Sequence, residues 1–307
     1  MQNNVSNNRL NLRFLAKCIL FVFLFLLTDF GVSQFLTSGL YKYYGLLEPA
    51  EILLVGHSHT MLGLDEYSME AQLKCNVAKY AIEGANAKDR LAMIRHFLHK
   101  NGDSVKLITY DVDPLFLTGL GIAVKSYSLF YPFLGDSYIE EYIKNEEQNK
   151  SEFFINKWFR TTRFNDLNLN GSLRGHLGFY SNIKIGSVDT AILKKRISNN
   201  DFVKISFDND LKSAFEETLE FVSSQNIKMA LLLLPTIDIL NDVEYEKYQK
   251  AINLLEEYDN KYENIFLFNY NEDLSHEYDL FYDSVHLNSK GKKIVTDRVV
   301  SDIKKIL

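Results

Sequence analysis

Apolar positions along the chain fall into one long unbroken block and a series of short runs separated by amphipathic stretches. The block is Cys18 to Leu27 (CILFVFLFLL), and it extends through Thr28 and Asp29 to Leu36. At 19 residues it is about long enough to cross a bilayer as a helix. The short runs are Glu51–Gly56 (EILLVG), Val105–Asp111 (VKLITYD), Ile227–Leu234 (IKMALLLL) and Asn264–Asn269. Their continuous apolar character is that of buried parallel strands. Helical spacing appears between them. Ala87–His99 carries Leu91, Ile94 and Leu98 on one face, and Asp208–Ser224 carries Leu211, Ala214, Phe215, Leu219 and Val222. Val243–Tyr258 is a third helix, and Ser289–Leu307 a fourth with Asn288 or Ser289 as its N-cap. Strands alternating with helices predict βαβ units in a three-layer α/β/α fold around a mostly parallel sheet. Pro114–Ser206 breaks the rhythm, rich in Tyr, Phe, Asn and Ser, and reads as an insertion at about 114–206 over the strand C-termini.

Charge decides how the leader is read. Residues 1–17 hold Arg9, Arg13 and Lys17 and no acid, so a basic flank precedes the apolar run. The positive-inside rule then places residues 1–17 in the cytoplasm, residues 18–36 as a transmembrane anchor and residues 37–307 outside the membrane. Asp29 is costly at mid-membrane and is expected near the outer interface. Two other readings fit the same pattern. Gly31-Val32-Ser33 offers the small-x-small spacing of a cleaved signal peptide, and ten uninterrupted residues also suit a buried core helix.

The whole chain carries 34 basic and 40 acidic residues, a net charge of -6. Without residues 1–36 the balance is 31 basic against 39 acidic, a poor match to nucleic-acid phosphate. Two cysteines, Cys18 and Cys75, one of them in the leader, give no disulfide framework or Cys-based zinc site. The 18 Tyr and 22 Phe suit either an aromatic core or a carbohydrate-facing surface, so Tyr127, Phe130, Tyr131 and Trp158 are read as core or as sugar-stacking residues.

Two segments carry candidate chemistry. Val55-Gly56-His57-Ser58-His59-Thr60 follows the first strand, where a Ser is exposed at a helix start beside free backbone N–H groups. Asp283-Ser284-Val285-His286-Leu287-Asn288 precedes the last helix, and one loop there can deliver a base and the carboxylate that orients it. A serine hydroxyl is a weak nucleophile near neutral pH and needs such a base. The plain alternatives are an N-cap role for Ser58 and a capping, solvating role for Asp283 and His286. His57, His59, Asp283 and His286 are also acceptable zinc ligands. Asp111 and Asp113 read either as an acid/base pair or as a strand end whose carboxylates solvate the loop.

This order of segments within a βαβ rhythm resembles the SGNH (GDSL-like) hydrolase superfamily, with its flavodoxin-like sheet. The resemblance implies Ser58 as nucleophile, with Asp283 and His286 completing the triad, and Ser58 and Gly84 as oxyanion-hole amides. It implies no cofactor and no metal. His57 replaces the Asp of the usual Gly-Asp-Ser block. The third block, which usually supplies an oxyanion Asn, here reads Tyr110-Asp111-Val112-Asp113-Pro114. With the anchor, these departures look similar to the cell-envelope proteins that partner membrane-bound O-acyltransferases: alginate acetylation, DltD-type and PatB-like proteins. That implies an esterase or O-acyltransferase acting on an exported cell-surface polysaccharide at the cell membrane. The alternative is a degenerate domain that binds glycan or scaffolds a membrane acyltransferase. His59 is expected to line the pocket, and Arg174, in the stretch Gly171–His176 read as a loop, is a candidate contact for an anionic sugar group.

Overall fold

The protein is described by a computed structural model covering residues 2–119, 125–180 and 182–307, with side chains from residue 12 onward, so Arg9 of the basic flank lies outside the described side chains. The chain divides into two compact units: residues 44–126 with 179–307, and residues 1–43 with 127–178.

The larger unit is built on five parallel strands: β1 (Ile52–Gly56), β2 (Val77–Ala81), β3 (Leu107–Val112), β4 (Lys228–Leu233) and β5 (Ile265–Asn269). Their order, β2-β1-β3-β4-β5, is that of flavodoxin-like doubly wound sheets, so the expected α/β/α fold is observed. Alternation along each strand assigns its side chains to two faces. Ile52, Leu54, Leu107, Ala230 and Leu232 join Val295, Val299 and Ile303 of the Ser289–Ile306 helix in one core. On the other face Tyr110 meets Phe215 of the Asn209–Ser224 helix. These helices start where side-chain caps permit: Asn86 and Asp89 form a capping box before Ala87–Asn101, Asp208 caps Asn209–Ser224, and Asn288 caps Ser289–Ile306.

The edge strand β2 was not expected from the pattern. Its sequence, Val-Ala-Lys-Tyr-Ala, is weakly apolar and carries Lys79. The lysine is nevertheless buried, with its ammonium ion-paired to the Glu66 carboxylate and hydrogen-bonded to the Leu64 carbonyl. A buried charge is tolerated when it is so paired.

The smaller unit joins the N-terminal helix (Gln2–Tyr43) to residues 127–178. This helix is long and apolar enough to cross a membrane, and it continues past residues 18–36 on both sides. Gly171–His176, read as a loop, is instead the second half of a helix, Asp166–Leu177. Gly171 and Gly175 lie four apart on the face turned to the N-terminal helix. A Cβ on Gly175 would collide with the Gly39 carbonyl, so glycine lets the two backbones touch. Arg174 donates to the Tyr43 hydroxyl at 3.0 Å and stacks over its ring, which engages it within this helix pair. Tyr127, Phe130 and Tyr131 are buried, whereas Trp158 is exposed. Asp29 is buried as well. Its carboxylate accepts from the Arg160 and Thr161 backbone N–H groups (both 2.8 Å) and the Thr161 hydroxyl (2.6 Å), capping the Arg160–Arg163 turn. Protein donors, rather than water alone, therefore satisfy this charge.

Candidate active site

The switch in strand order lies between β1 and β3, and the chemistry-bearing residues gather at the C-terminal ends of these strands. β1 ends at Gly56, His57 is the N-cap, and Ser58 opens the short Ser58–Gly63 helix. A Cβ at Gly56 would stand 2.5 Å from Asp111 Oδ1 and collide with Thr60 Oγ1, so only glycine lets the turn close against β3. At the far end of the chain, Asp283 Oδ1 accepts from the Val285 and His286 backbone N–H groups at 3.0 and 2.9 Å, which folds Asp283–His286 into a tight turn. Backbone bonds from Val188 to Phe281 and from Ser289 to Lys184 brace that turn from outside.

The two segments meet. His286 Nε2 lies 2.9 Å from Ser58 Oγ, and His286 Nδ1 lies 2.8 Å from Asp283 Oδ2. All three residues are half-buried. Hydrogen bonding from His286 holds the Asp283 carboxyl below the usual range against the opposing effect of burial. This is the relation of nucleophile, base and orienting carboxylate that serves acyl transfer. Of the first amides of the Ser58–Gly63 helix, His59 N–H points to His57 Nδ1 (3.1 Å) and Thr60 N–H to Asp111 Oδ2 (3.0 Å). Met61 N–H goes to the His57 carbonyl at 3.0 Å. The Ser58 amide has no partner among the described residues. Nor has that of Gly84, which sits with φ +75° in the turn after β2, the strand beside β1.

Behind the serine lies a buried charged cluster that reading the sequence missed. Asp111 and Asp113, read as loop-solvating, are 1% and 3% exposed. Arg90, on the Ala87–Asn101 helix, is equally buried, with Nη1 2.9 Å from Asp111 Oδ1. Asp111 Oδ2 accepts from the His57 backbone N–H (3.3 Å) besides that of Thr60, so it pins the turn bearing Ser58 from the neighbouring strand. Burial alone would raise the Asp111 pKa, but Arg90 and His57 hold it far below the carboxylate range. His57 stands between two carboxylates, with Nε2 2.7 Å from Asp113 Oδ2 and Nδ1 3.2 Å from Asp111 Oδ2. Burial lowers its pKa, yet these carboxylates prevail and lift it to about 9. The charged ring faces both carboxylates; in the neutral ring Nδ1 accepts the His59 amide instead. His59 is itself buried and held near pKa 4 by burial and the His57 cation.

These shifts have a sign. The His57 value is raised from 6.5, so its contribution to stability is complete below about pH 6.5 and is lost as pH rises through about 9. The His59 value is lowered, so its contribution is present above about pH 6.5 and is lost as pH falls through about 4. Urea midpoints measured across this range should be highest near neutrality and fall on both sides. His57→Gln should flatten the alkaline limb, and an unchanged limb would refute the assignment.

His57, His59 and Asp113 each present a donor atom, all within 4.8 Å of one another. The 2.7 Å between His57 Nε2 and Asp113 Oδ2 is a hydrogen-bond distance. Two donors on one tetrahedral zinc stand roughly 3.3 Å apart, given bonds of about 2.0–2.1 Å. The cluster in this arrangement is therefore an ion-paired one. His59 turns instead to a solvent-open cleft lined also by Asp113, Phe202, Ile205, Leu240, Glu244 and Val285. Its ring stands perpendicular to that of His286, centroids 5.6 Å apart.

A parallel doubly wound sheet thus carries hydrogen-bonded Ser58, His286 and Asp283 at its C-terminal edge. No family model matches the chain, and no curated protein matches it. Among solved structures it is similar to a GDSL-like lipase from Bacteroides thetaiotaomicron, 10% identical, with 83% of this chain and 88% of that chain covered at a TM-score of 0.44. It is also similar to an α/β hydrolase enzyme from the metagenome of Lake Arreo, Spain, 11% identical, with 84% and 96% covered at a TM-score of 0.41.

Proposed function

We propose that the chain is a serine-dependent esterase or O-acyltransferase of SGNH type, held at the membrane by its N-terminal helix and acting on an exported cell-surface polysaccharide. One observation carries the chemistry: the Ser58 oxygen lies 2.9 Å from His286 Nε2 while Asp283 holds the other ring nitrogen. As Ser58 Oγ attacks the acyl carbon, His286 Nε2 takes the hydroxyl proton, and Asp283 stabilises the resulting imidazolium. The developing oxyanion is received by the two open amides, Ser58 and Gly84. Collapse of the tetrahedral intermediate expels the alcohol, which takes the proton from His286 and leaves the acyl group on Ser58. Water or a sugar hydroxyl then repeats the sequence in reverse. The cleft beside His59 takes the acyl group, its apolar residues and the carboxylates of Asp113 and Glu244 suiting a short neutral chain better than an anionic one. Membrane attachment and the glycan substrate are supported by the basic, apolar leader and by the resemblance of the chain to cell-envelope acylation proteins.

A second reading has its own observation. Asp113 stands in the third block, where an oxyanion Asn is usual, and its carboxylate is committed to His57 and to the Leu115 amide. The loss of one oxyanion donor costs about 10²–10³ in rate, which favours a slow enzyme, or a glycan-binding partner of a membrane-bound O-acyltransferase. A fluorophosphonate probe separates the two. Labelling that disappears in Ser58→Ala supports catalysis; a folded wild-type chain that resists the probe supports the binding role.

A further inference from the structure

Between Glu152 and Asp166 the chain holds five aromatic residues, three cations (Lys157, Arg160 and Arg163) and no acid. The segment is fixed on the N-terminal helix at the height of Phe25 to Phe30. Asp29 caps its Arg160–Arg163 turn, Phe159 meets Phe25 edge-on at 6.1 Å, and the Arg160 guanidinium lies 4.7 Å over the Phe30 ring. Lys157 is paired with Glu140 at 2.6 Å. Yet the outward side is apolar. Phe154, Ile155 and Trp158 share one face of the Lys150–Trp158 helix, Trp158 being 74% exposed, and Phe159 extends that face. Phe153 and Asn156, on the opposite face, are buried.

A contiguous exposed aromatic face on a soluble surface is unusual and marks a binding surface. Its place along the N-terminal helix indicates the partner. Leu12 to Thr28 rises about 25 Å at 1.5 Å per residue, near the lower length for crossing a hydrocarbon core, with Arg13 and Lys17 in its first two turns reaching back to the headgroups of the opposite surface. Apolar residues along that stretch are exposed throughout. A span ending at Thr28 puts Asp29 and the aromatic face together at one membrane surface. Tryptophan and phenylalanine beside Lys and Arg match the boundary between acyl chains and anionic headgroups.

We infer that Phe154, Ile155, Trp158 and Phe159 rest in the headgroup–acyl boundary of the phospholipid bilayer, as an interfacial foot that fixes the depth of the N-terminal helix. This rests on the membrane-anchor reading above, with the span set toward the N-terminus of residues 18–36. Trp158 is the single tryptophan of the chain, so its fluorescence reports on the foot alone. The full chain is reconstituted into vesicles of phosphatidylcholine and phosphatidylglycerol and recovered by flotation. In floated vesicles Trp158 emission should shift to the blue and be quenched more by lipids brominated near the headgroup than by lipids brominated near the chain end. Quenching by aqueous acrylamide should fall several-fold relative to the urea-unfolded chain. A chain that floats while Trp158 stays fully open to acrylamide overturns the foot and leaves the anchor standing. The same result is expected if the face is reserved for a protein partner. A chain that does not float overturns the anchor and the foot together.

Discussion

Asp111→Asn should cost about 3–5 kcal/mol of stability, the usual penalty for removing one member of a buried ion pair. The substitution leaves Arg90 in the interior without its ion-pair partner, facing the Asp111 and Ala85 carbonyls and the Tyr110 ring. It also leaves the His57 ring with Asp113 as its single carboxylate partner. The urea midpoint should fall by the corresponding amount. Adding Arg90→Met should recover part of the loss, because the uncompensated charge then disappears. Activity should fall further than stability, since the carboxylate that receives the His57 and Thr60 amides orients the turn bearing Ser58. Measured in the folded range of urea, the labelling rate of Ser58 should therefore drop while the fraction folded holds. A variant as stable as the parent would show that the cluster is hydrated and the pair dispensable.

The relay residues were legible because each rests on a local signal. Ser58 follows a glycine at the end of an apolar strand, and Asp283 and His286 are three apart before a capped helix. Turn chemistry fixes such short-range geometry, and the sheet order then brings the turns together. The Arg90–Asp111–His57 cluster has no local signal. Its members are 21 and 54 residues apart and meet only when β3 lies beside β1 and the Ala87–Asn101 helix packs on the sheet. An Asp at a strand end reads equally well as a solvated carboxylate, and that reading of Asp111 was wrong. β2 escaped notice because Lys79 is neutralised by a partner, Glu66, that the strand pattern does not contain. Gly171 and Gly175 looked like loop residues for a related reason: what they provide is the absence of a side chain where another backbone passes. Ser137–Glu146 was lost although Ile139 and Ile143 keep the helical spacing, because it is only ten residues long, whereas Lys150–Trp158, Asp166–Leu177 and Thr190–Ser198 carry apolar residues on outward as well as packed faces, which blurs the period.

His286→Ala should reduce ester turnover by about 10⁴-fold or more, the scale on which serine relays depend on their base. The substitution removes the imidazole nitrogen that lies 2.9 Å from the Ser58 hydroxyl. Stability should change little, because the histidine is half-buried and the turn is held by Asp283 Oδ1 on the Val285 and His286 amides, which alanine keeps. Asp283→Asn tests a different step. The amide retains the size of the carboxylate but presents an N–H or a neutral oxygen to His286 Nδ1, which favours the wrong tautomer and removes the charge that stabilises the imidazolium. A loss of roughly 10⁴ in kcat is expected where the orienting carboxylate is fully engaged. Because Asp283 is partly open to water, its loss should be smaller than that of His286→Ala. Steady-state hydrolysis of an aryl acetate across pH, together with the unfolding midpoint, decides the matter. Parent-like turnover in His286→Ala would mean that another group deprotonates Ser58, and the relay would have to be abandoned even with its geometry intact.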